Sequence, residues 1–180
     1  VVGAVETVDL NATAGITGFY GTAESQVDQI NIIAAHNLGF TGAGVTIGIL
    51  DTGFKRTHEA FNHPGHVLNV IAEKDFVAEP NDFDTSDTNS SQHLHGTYIL
   101  GVIGGYKPDT HVGGAYDASF LLAKTAYTSR HLQAQEDDWV ARLQWLEQNG
   151  AAVVTSSLSY IDRVSPDDVV GKSALTTIAA

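Results

Sequence analysis

The chain has 180 residues, of which 43% are hydrophobic and 17% are charged; these are ordinary proportions for a globular protein with one sizeable core. Its 21 acidic and 9 basic side chains give a net charge of −12, which argues against nucleic acid and anionic membranes as partners, because phosphate contacts need Lys and Arg. The lack of cysteine excludes disulfides and thiol catalysis, and no apolar run approaches the roughly 20 residues that span a bilayer.

The first part of the chain predicts an arm followed by a helix. Residues 1–19 are small, contain Thr and Gly and lack a clear period, so we expect an arm or linker ahead of one domain over residues 20–180. Between residues 23 and 38, apolar side chains recur at helical spacing, and Gly39 stands where a C-terminal cap belongs. These side chains are Val27, Ile30, Ala34 and Leu38.

Three short apolar runs predict strands. The run VTIGIL at 45–50 is continuous and β-branched, as expected of a strand that is covered on both faces. The runs ASFLLAKT at 118–125 and AAVVTSSLSY at 151–160 predict two more strands. The polar stretch 73–92 predicts a surface loop between the first two.

Helices are predicted in the intervals between strands. Residues 95–105 predict a helix that begins at His95 and contains glycines for close packing. A second helix is capped by Asp137 or Asp138 and ends at Gly150. Its apolar face carries Trp139, Leu143 and Leu146.

The order of these elements predicts the fold class. Strands that alternate with helices indicate βαβ units and a parallel sheet. We therefore predict a three-layer α/β fold in which helices cover both faces of a mostly parallel sheet. A final amphipathic segment at 168–180 would normally lead into another strand, so we expect the fold to be truncated at its carboxyl-terminal side.

Asp51 directly follows the first predicted strand, within the triplet Asp-Thr-Gly. Catalytic groups collect at the carboxyl ends of parallel strands, although an aspartate at this point can also serve only as a turn or capping residue. Aspartic proteases use the same triplet, but their chemistry needs two carboxylates that share a proton. This chain has one such triplet in a helix-rich α/β pattern, so that interpretation is rejected.

The histidines offer either a catalytic base or metal ligands. His95 precedes Gly96 and lies at a predicted helix start, where its ring would face a cleft, or would be a satisfied surface side chain. The segment HEAFNHPGH does not fit a zincin helix, which needs a second histidine one turn after the first. A metal-binding alternative would use His58, Glu59, His63, His66, His93 and His95.

Four segments, in order, resemble the subtilisin-like serine peptidases: GAGVTIGILDTGF, HLHGTYILGVIGG, GGAYDASFLLAKT and AAVVTSSLSY. A strand followed by Asp-Thr-Gly and the block His-Gly-Thr-x-x-x-Gly are both signatures of that family. The resemblance implies that Asp51 and His95 are the first two members of an Asp-His-Ser triad, in the order known for subtilisin. His95 would take the proton of the serine hydroxyl, and Asp51 would fix the tautomer of the imidazole.

The resemblance also implies a substrate-binding strand and indicates that one calcium site of the family is absent. Ser157, Leu158 and Ser159 match the edge strand that pairs with the backbone of the substrate by β-addition. Subtilisin's high-affinity calcium site uses an aspartate at a position that is Ala60 in this chain. We therefore expect that site to be absent and expect no metal site and no cofactor, with calcium bound elsewhere as the open alternative.

No serine of this chain matches the nucleophile block of the family; Ser156, Ser157 and Ser173 stand in other contexts. We expect the amino-terminal part of a secreted or periplasmic serine endopeptidase that acts on polypeptides and is inactive without a further segment that carries the serine. An inhibitory propeptide is expected upstream. Two alternatives stay open: a pseudoprotease or peptide-binding domain of the same fold, and a histidine-rich metal-binding α/β domain.

Overall fold

The computed structural model describes residues 18–77, 85–86, 90–126 and 134–158. The helices are α1 (Glu24–Gln29), α2 (Ile32–Asn37), α3 (Ser90–Gly104) and α4 (Ala134–Gln148), with a short 3-10 helix at Glu59–Phe61. The strands are β1 (Thr46–Asp51), β2 (Asn62–His63), β3 (His66–Val67), β4 (Asn69–Asp75), β5 (Tyr106–Lys107), β6 (His111–Val112), β7 (Ser119–Lys124) and β8 (Val153–Ser156).

The central sheet has four parallel strands in the order β4-β7-β1-β8. Side chains alternate between the faces of a strand, so Ile47 and Ile49 pack with Leu100 of α3 on one face. Leu50 packs with Leu146 of α4 on the other face. The predicted three-layer α/β fold is therefore confirmed, with one helix over each face of the sheet.

The two helical crossovers step across the sheet in the same direction. The connection from β4 to β7 contains α3, and the connection from β7 to β8 contains α4. Because α3 and α4 cover opposite faces, the two crossovers have opposite hands. One of them therefore departs from the right-handed rule that about 98% of such connections obey.

The predicted strands are confirmed where the structure describes them. β1 and β7 lie within the runs 45–50 and 118–125 to within one residue, and β8 lies within 151–160. The segment 168–180 and most of the predicted arm lie outside the described residues. No helix in the described part of the chain is long and apolar enough to cross a membrane.

Two helix predictions need correction at their boundaries. The single helix predicted at 23–38 is two helices, because Asn31 adopts a left-handed conformation with φ of 60° between them; asparagine tolerates this conformation better than most residues. Ile30 is consequently 67% exposed, and Ile33 is buried instead. The helix that was predicted to begin at Asp137 or Asp138 begins at Ala134.

The loop predicted at 73–92 is wrong at both ends. Its first residues complete β4, which pairs in parallel with β7 as far as Asp75 and Lys124. Its last residues belong to α3, which begins at Ser90. His95 therefore lies more than one turn inside α3 and not at its start.

Candidate active site

Asp51 is the last residue of β1, and its side chain is fully buried. Its Oδ1 accepts hydrogen bonds from the backbone N–H of Thr52 at 2.7 Å and from Oγ1 of Thr52 at 3.1 Å. Within the described parts of the chain, its Oδ2 has no hydrogen-bond partner. Because a buried carboxylate is costly unless it is hydrogen-bonded, the donors from Thr52 both stabilise the group and fix its orientation.

His95 lies on α3 directly against this carboxylate. Its Nδ1 is 2.8 Å from Oδ1 of Asp51. An ionised carboxylate can only accept, so Nδ1 carries the proton and donates it, and Nε2 of the neutral ring is left as an acceptor. The His95 side chain is 48% exposed, so a ring that is anchored on a buried carboxylate can serve as a general base for a group outside the core.

Gly96 allows α3 to approach the end of β1 this closely. A Cβ at Gly96 would lie 2.3 Å from the carbonyl oxygen of Gly53 and 3.0 Å from Oδ1 of Asp51. Gly53 has φ of 127°, a conformation that L side chains rarely adopt. The glycines beside Asp51 and His95 are thus explained by close packing and backbone geometry, independently of any resemblance.

Thr97 links α3 to the loop that follows β1. Its Oγ1 donates to the carbonyl oxygen of His93 at 2.6 Å and accepts from the backbone N–H of Lys55 at 2.8 Å. The hydroxyl therefore connects two segments that are far apart in sequence. The two residues that follow His95 in the His-Gly-Thr block, Gly96 and Thr97, therefore both have structural roles.

A buried ion pair that the sequence analysis missed lies in register with Asp51. Lys124 pairs in the sheet with Asp51 on one side and Asp75 on the other. Nζ of Lys124 is 2.7 Å from Oδ2 of Asp75, and the two side chains are 4% and 2% exposed. A lysine at the end of the buried run FLLAK was the available signal, because buried charges are usually paired.

The predicted substrate strand is described in part. Ser157 and Leu158 follow the end of β8, and Ser159 lies outside the described residues. Within the described residues, β8 pairs with β1 and with no other strand. Its second edge is therefore open to another strand in this part of the chain.

Three other histidines that were considered as metal ligands, His58, His63 and His66, have other contacts in the described part of the chain. Nδ1 of His58 accepts from the backbone N–H of Ala60 at 3.2 Å, and Nε2 of His66 lies 2.9 Å from Asp117. His63 contacts the ring of Tyr106 edge-on. In the described ranges, no group of three or more His, Cys, Asp or Glu side chains is arranged to hold a metal ion.

A largely apolar groove of about 590 Å³ runs along the side of α3 that faces away from the sheet. Three apolar side chains of α3, each four residues after the last, are exposed there. They are Leu94, Tyr98 and Val102, with exposures of 45%, 63% and 64%. Within the described ranges, the helix that carries His95 is thus buried against the sheet on one side and exposed on the other.

Comparison with known proteins gives a consistent family. Residues 42–177 match the model of the Subtilase family. Subtilisin Savinase of Lederbergia lenta is 31% identical over 136 residues, which are 73% of this chain and 44% of that protein. Alkaline serine exoprotease A of Vibrio alginolyticus is 34% identical over 170 residues, which are 92% of this chain and 28% of that protein. The chain therefore spans less than half the length of these relatives.

Solved structures show the same fold. The crystal structure of MycP1 with its N-terminal propeptide removed is 26% identical, has a TM-score of 0.53 and aligns with 72% of this chain and 36% of its own. The complex of the Aeromonas sobria serine protease with the chaperone ORF2 has a TM-score of 0.62 at 21% identity, over 83% of this chain and 23% of that one. At that identity, the second likeness concerns the fold alone.

Proposed function

Because this chain belongs to the subtilase family, we propose that it is the amino-terminal part of the catalytic domain of a serine endopeptidase, which hydrolyses peptide bonds with an Asp-His-Ser triad. The observation that carries the proposal is the 2.8 Å contact between Nδ1 of His95 and the buried Oδ1 of Asp51. The proposal concerns the complete protein, because no serine of these 180 residues stands in the nucleophile block.

The proposed reaction uses both nitrogen atoms of the His95 ring. Nε2 takes the proton of the serine hydroxyl as its oxygen bonds to the substrate carbonyl carbon, and later gives that proton to the leaving amine. Asp51 stays ionised throughout and stabilises the imidazolium that forms in between. Burial of the carboxylate supports this role, because electrostatic interactions are stronger away from water.

The proposed substrate is a polypeptide in extended conformation. Ser157, Leu158 and Ser159 would pair with its backbone by β-addition. Ser157 and Leu158 directly continue β8 and, among the described residues, pair with no other strand, which supports this part of the proposal.

The proposed partner of this chain is the segment of the same domain that supplies the serine. The exposed stripe Leu94, Tyr98 and Val102 supports it, because contiguous apolar side chains are rarely left to water without a partner. An upstream inhibitory propeptide is also proposed, and the propeptide named for MycP1 supports it. Secretion or export to the periplasm is proposed on the likeness to an exoprotease.

The proposal does not include subtilisin's high-affinity calcium site. Ala60, which stands where subtilisin's high-affinity site has an aspartate, is 9% exposed and packs with Phe61 and Leu68. A methyl group supplies no oxygen ligand, and its surroundings are apolar.

A fluorophosphonate probe tests the proposal on the complete protein. We expect one serine to be labelled, and His95→Ala to abolish both labelling and peptide hydrolysis while the protein stays folded. His58→Ala, a change at an exposed histidine, is the matched control and should keep both. Failure to label any serine of the wild-type protein would contradict the proposal and favour the pseudoprotease. Stoichiometric zinc in elemental analysis, together with no labelling, would favour the metal-binding alternative.

A further inference from the structure

We propose that Gln92 is a positioning residue, which fastens α3 to the ends of β1 and β7 and thereby holds His95 against Asp51. The inference rests on the proposed function, because it concerns the geometry of the proposed triad. Gln92 lies in the stretch for which the sequence predicted a loop.

The side-chain amide of Gln92 binds two strand ends at once. Its Nε2 donates to the carbonyl oxygen of Thr52 and to the carbonyl oxygen of Ala126, both at 2.7 Å. A primary amide has two N–H donors, so both are used. Gln92, Thr52 and Ala126 are 4%, 6% and 7% exposed, so water has little access to replace these bonds.

Both ends of the hydrogen bond from Gln92 to Thr52 lie close in sequence to the proposed catalytic pair. Thr52 directly follows Asp51, and Gln92 precedes His95 by three residues, which is about one helical turn. A single hydrogen-bonded link therefore connects the neighbours of the two residues. The second link, to Ala126, ties the same turn of α3 to the end of β7 as well, in addition to the packing of the helix on the sheet.

The end of β7 is itself fastened to Asp51. The backbone N–H of Thr125 donates to the carbonyl oxygen of Asp51 at 2.8 Å. Asp51, Gln92 and the β7 end thus form a closed hydrogen-bonded ring across two strands and one helix. A closed ring resists the small shifts to which catalysis is sensitive, since a displacement of about 1 Å can cost about 100-fold in rate.

The alternative is that Gln92 merely stabilises the fold, as any buried hydrogen-bonded side chain does. The two roles differ in what they predict. Substitution of a residue that only stabilises the fold lowers activity through the fraction of molecules that are folded. Substitution of a positioning residue lowers the activity of the folded molecules themselves. The contact between His95 and Asp51 should then change even under conditions in which every molecule is folded.

The test is Gln92→Met in the complete protein, because methionine keeps the length of the side chain and removes both donors. We expect kcat to fall by about 10- to 100-fold with KM within about twofold. We also expect the low-field proton resonance of the Nδ1–H of His95 to move or broaden. Ile103→Val is the control for stability, since Ile103 lies on the same helix and packs on the core. Gln144→Met is the control for the chemical change, at an exposed glutamine.

The results separate this inference from the proposed function. If Gln92→Met keeps kcat within twofold, or loses activity only in proportion to unfolding as Ile103→Val does, Gln92 is not a positioning residue. If the probe labels no serine of the wild-type protein and the protein hydrolyses no peptide, the proposed function fails. The resonance of His95 still reports on the contact between His95 and Asp51. An unchanged resonance in Gln92→Met would then overturn the inference by itself.

Discussion

At the scale of single residues, two glycines of the same helix, α3, have opposite steric constraints. Gly96 faces the end of β1, where a Cβ would lie 2.3 Å from the carbonyl oxygen of Gly53. Gly101 faces open space, with nothing within 4 Å of a Cβ at that position. The packing of the helix, and not the residue type, decides which glycine the site requires.

We therefore expect Gly96→Ala to separate α3 from β1 and to lower the kcat of the proposed peptidase activity of the complete protein by at least about 100-fold. Gly101→Ala on the same helix should keep activity and raise stability by up to about 1 kcal/mol, because alanine is the better helix former. Rates of fluorophosphonate labelling and thermal unfolding measure both effects. Equal activity of the two variants would show that the close approach at Gly96 is dispensable.

The sequence motifs singled out Asp51 and His95, which the structure brings into contact. Residues that act through packing were missed. Gln92 could not, because it stands in a polar run and its function depends on two carbonyl groups at positions 52 and 126. Contacts between residues so far apart in sequence leave no periodic signal along the chain.

At the scale of elements, β4 escaped prediction because its charged residues resemble a surface loop. Its last residue, Asp75, is buried and paired with Lys124 across the sheet. A charged side chain in a strand can be buried when another strand supplies the opposite charge. The sequence of one segment alone does not show whether such a partner exists. The inner strands β1 and β7 were predictable, since each is apolar over almost its whole length.

Lys124→Met should destabilise the protein by about 3–5 kcal/mol, because it leaves the carboxylate of Asp75 buried without its ammonium partner. The double variant Asp75→Leu/Lys124→Met should recover most of that loss, since apolar side chains can replace a buried pair at little cost. Urea unfolding measures both. A double variant that is no more stable than Lys124→Met would mean that the pair is not the source of the loss.

At the scale of the whole molecule, an aromatic cluster joins the first two helices to the rest of the fold. Tyr116 lies at its centre, in ring contact with Phe19, His36, His66 and Tyr106. Burial, assisted by the negative charge of Asp117, raises the pKa of Tyr116 to about 12 from its ordinary value of 10.0. The cluster therefore favours the protonated phenol.

This shift predicts a loss of stability in alkali. A raised pKa in the folded state means that the unfolded chain loses its proton first, so the stabilisation is present below pH 10 and is lost as the pH rises toward 12. Tyr116→Phe has no proton to lose and should show a smaller decline over that range. Unfolding free energies at pH 9 and pH 11 would test this, and an equal decline in both proteins would contradict it.

The edge strand β8 determines how the 180-residue chain should behave by itself. Val153 and Val154 are 53% and 36% exposed, and β8 pairs only with β1 among the described residues. An open edge with exposed valines is a template for pairing with another copy. We expect concentration-dependent self-association in analytical ultracentrifugation, and Val154→Lys should reduce it. A monomer at all concentrations would contradict this expectation.

The opposite hands of the two crossovers constrain how this fold can change during evolution. Two crossovers of one hand would bring α3 and α4 to the same face of the sheet. If both helices lay on the face of Leu50, His95 would be on the opposite side of the sheet from Asp51. If both lay on the face of Asp51, the side chains of Leu50 and Leu121 would lose the cover that Leu146 gives them. A chain with both crossovers of the common hand would lose either its proposed chemistry or half its core, so this site and this core together require the rarer topology.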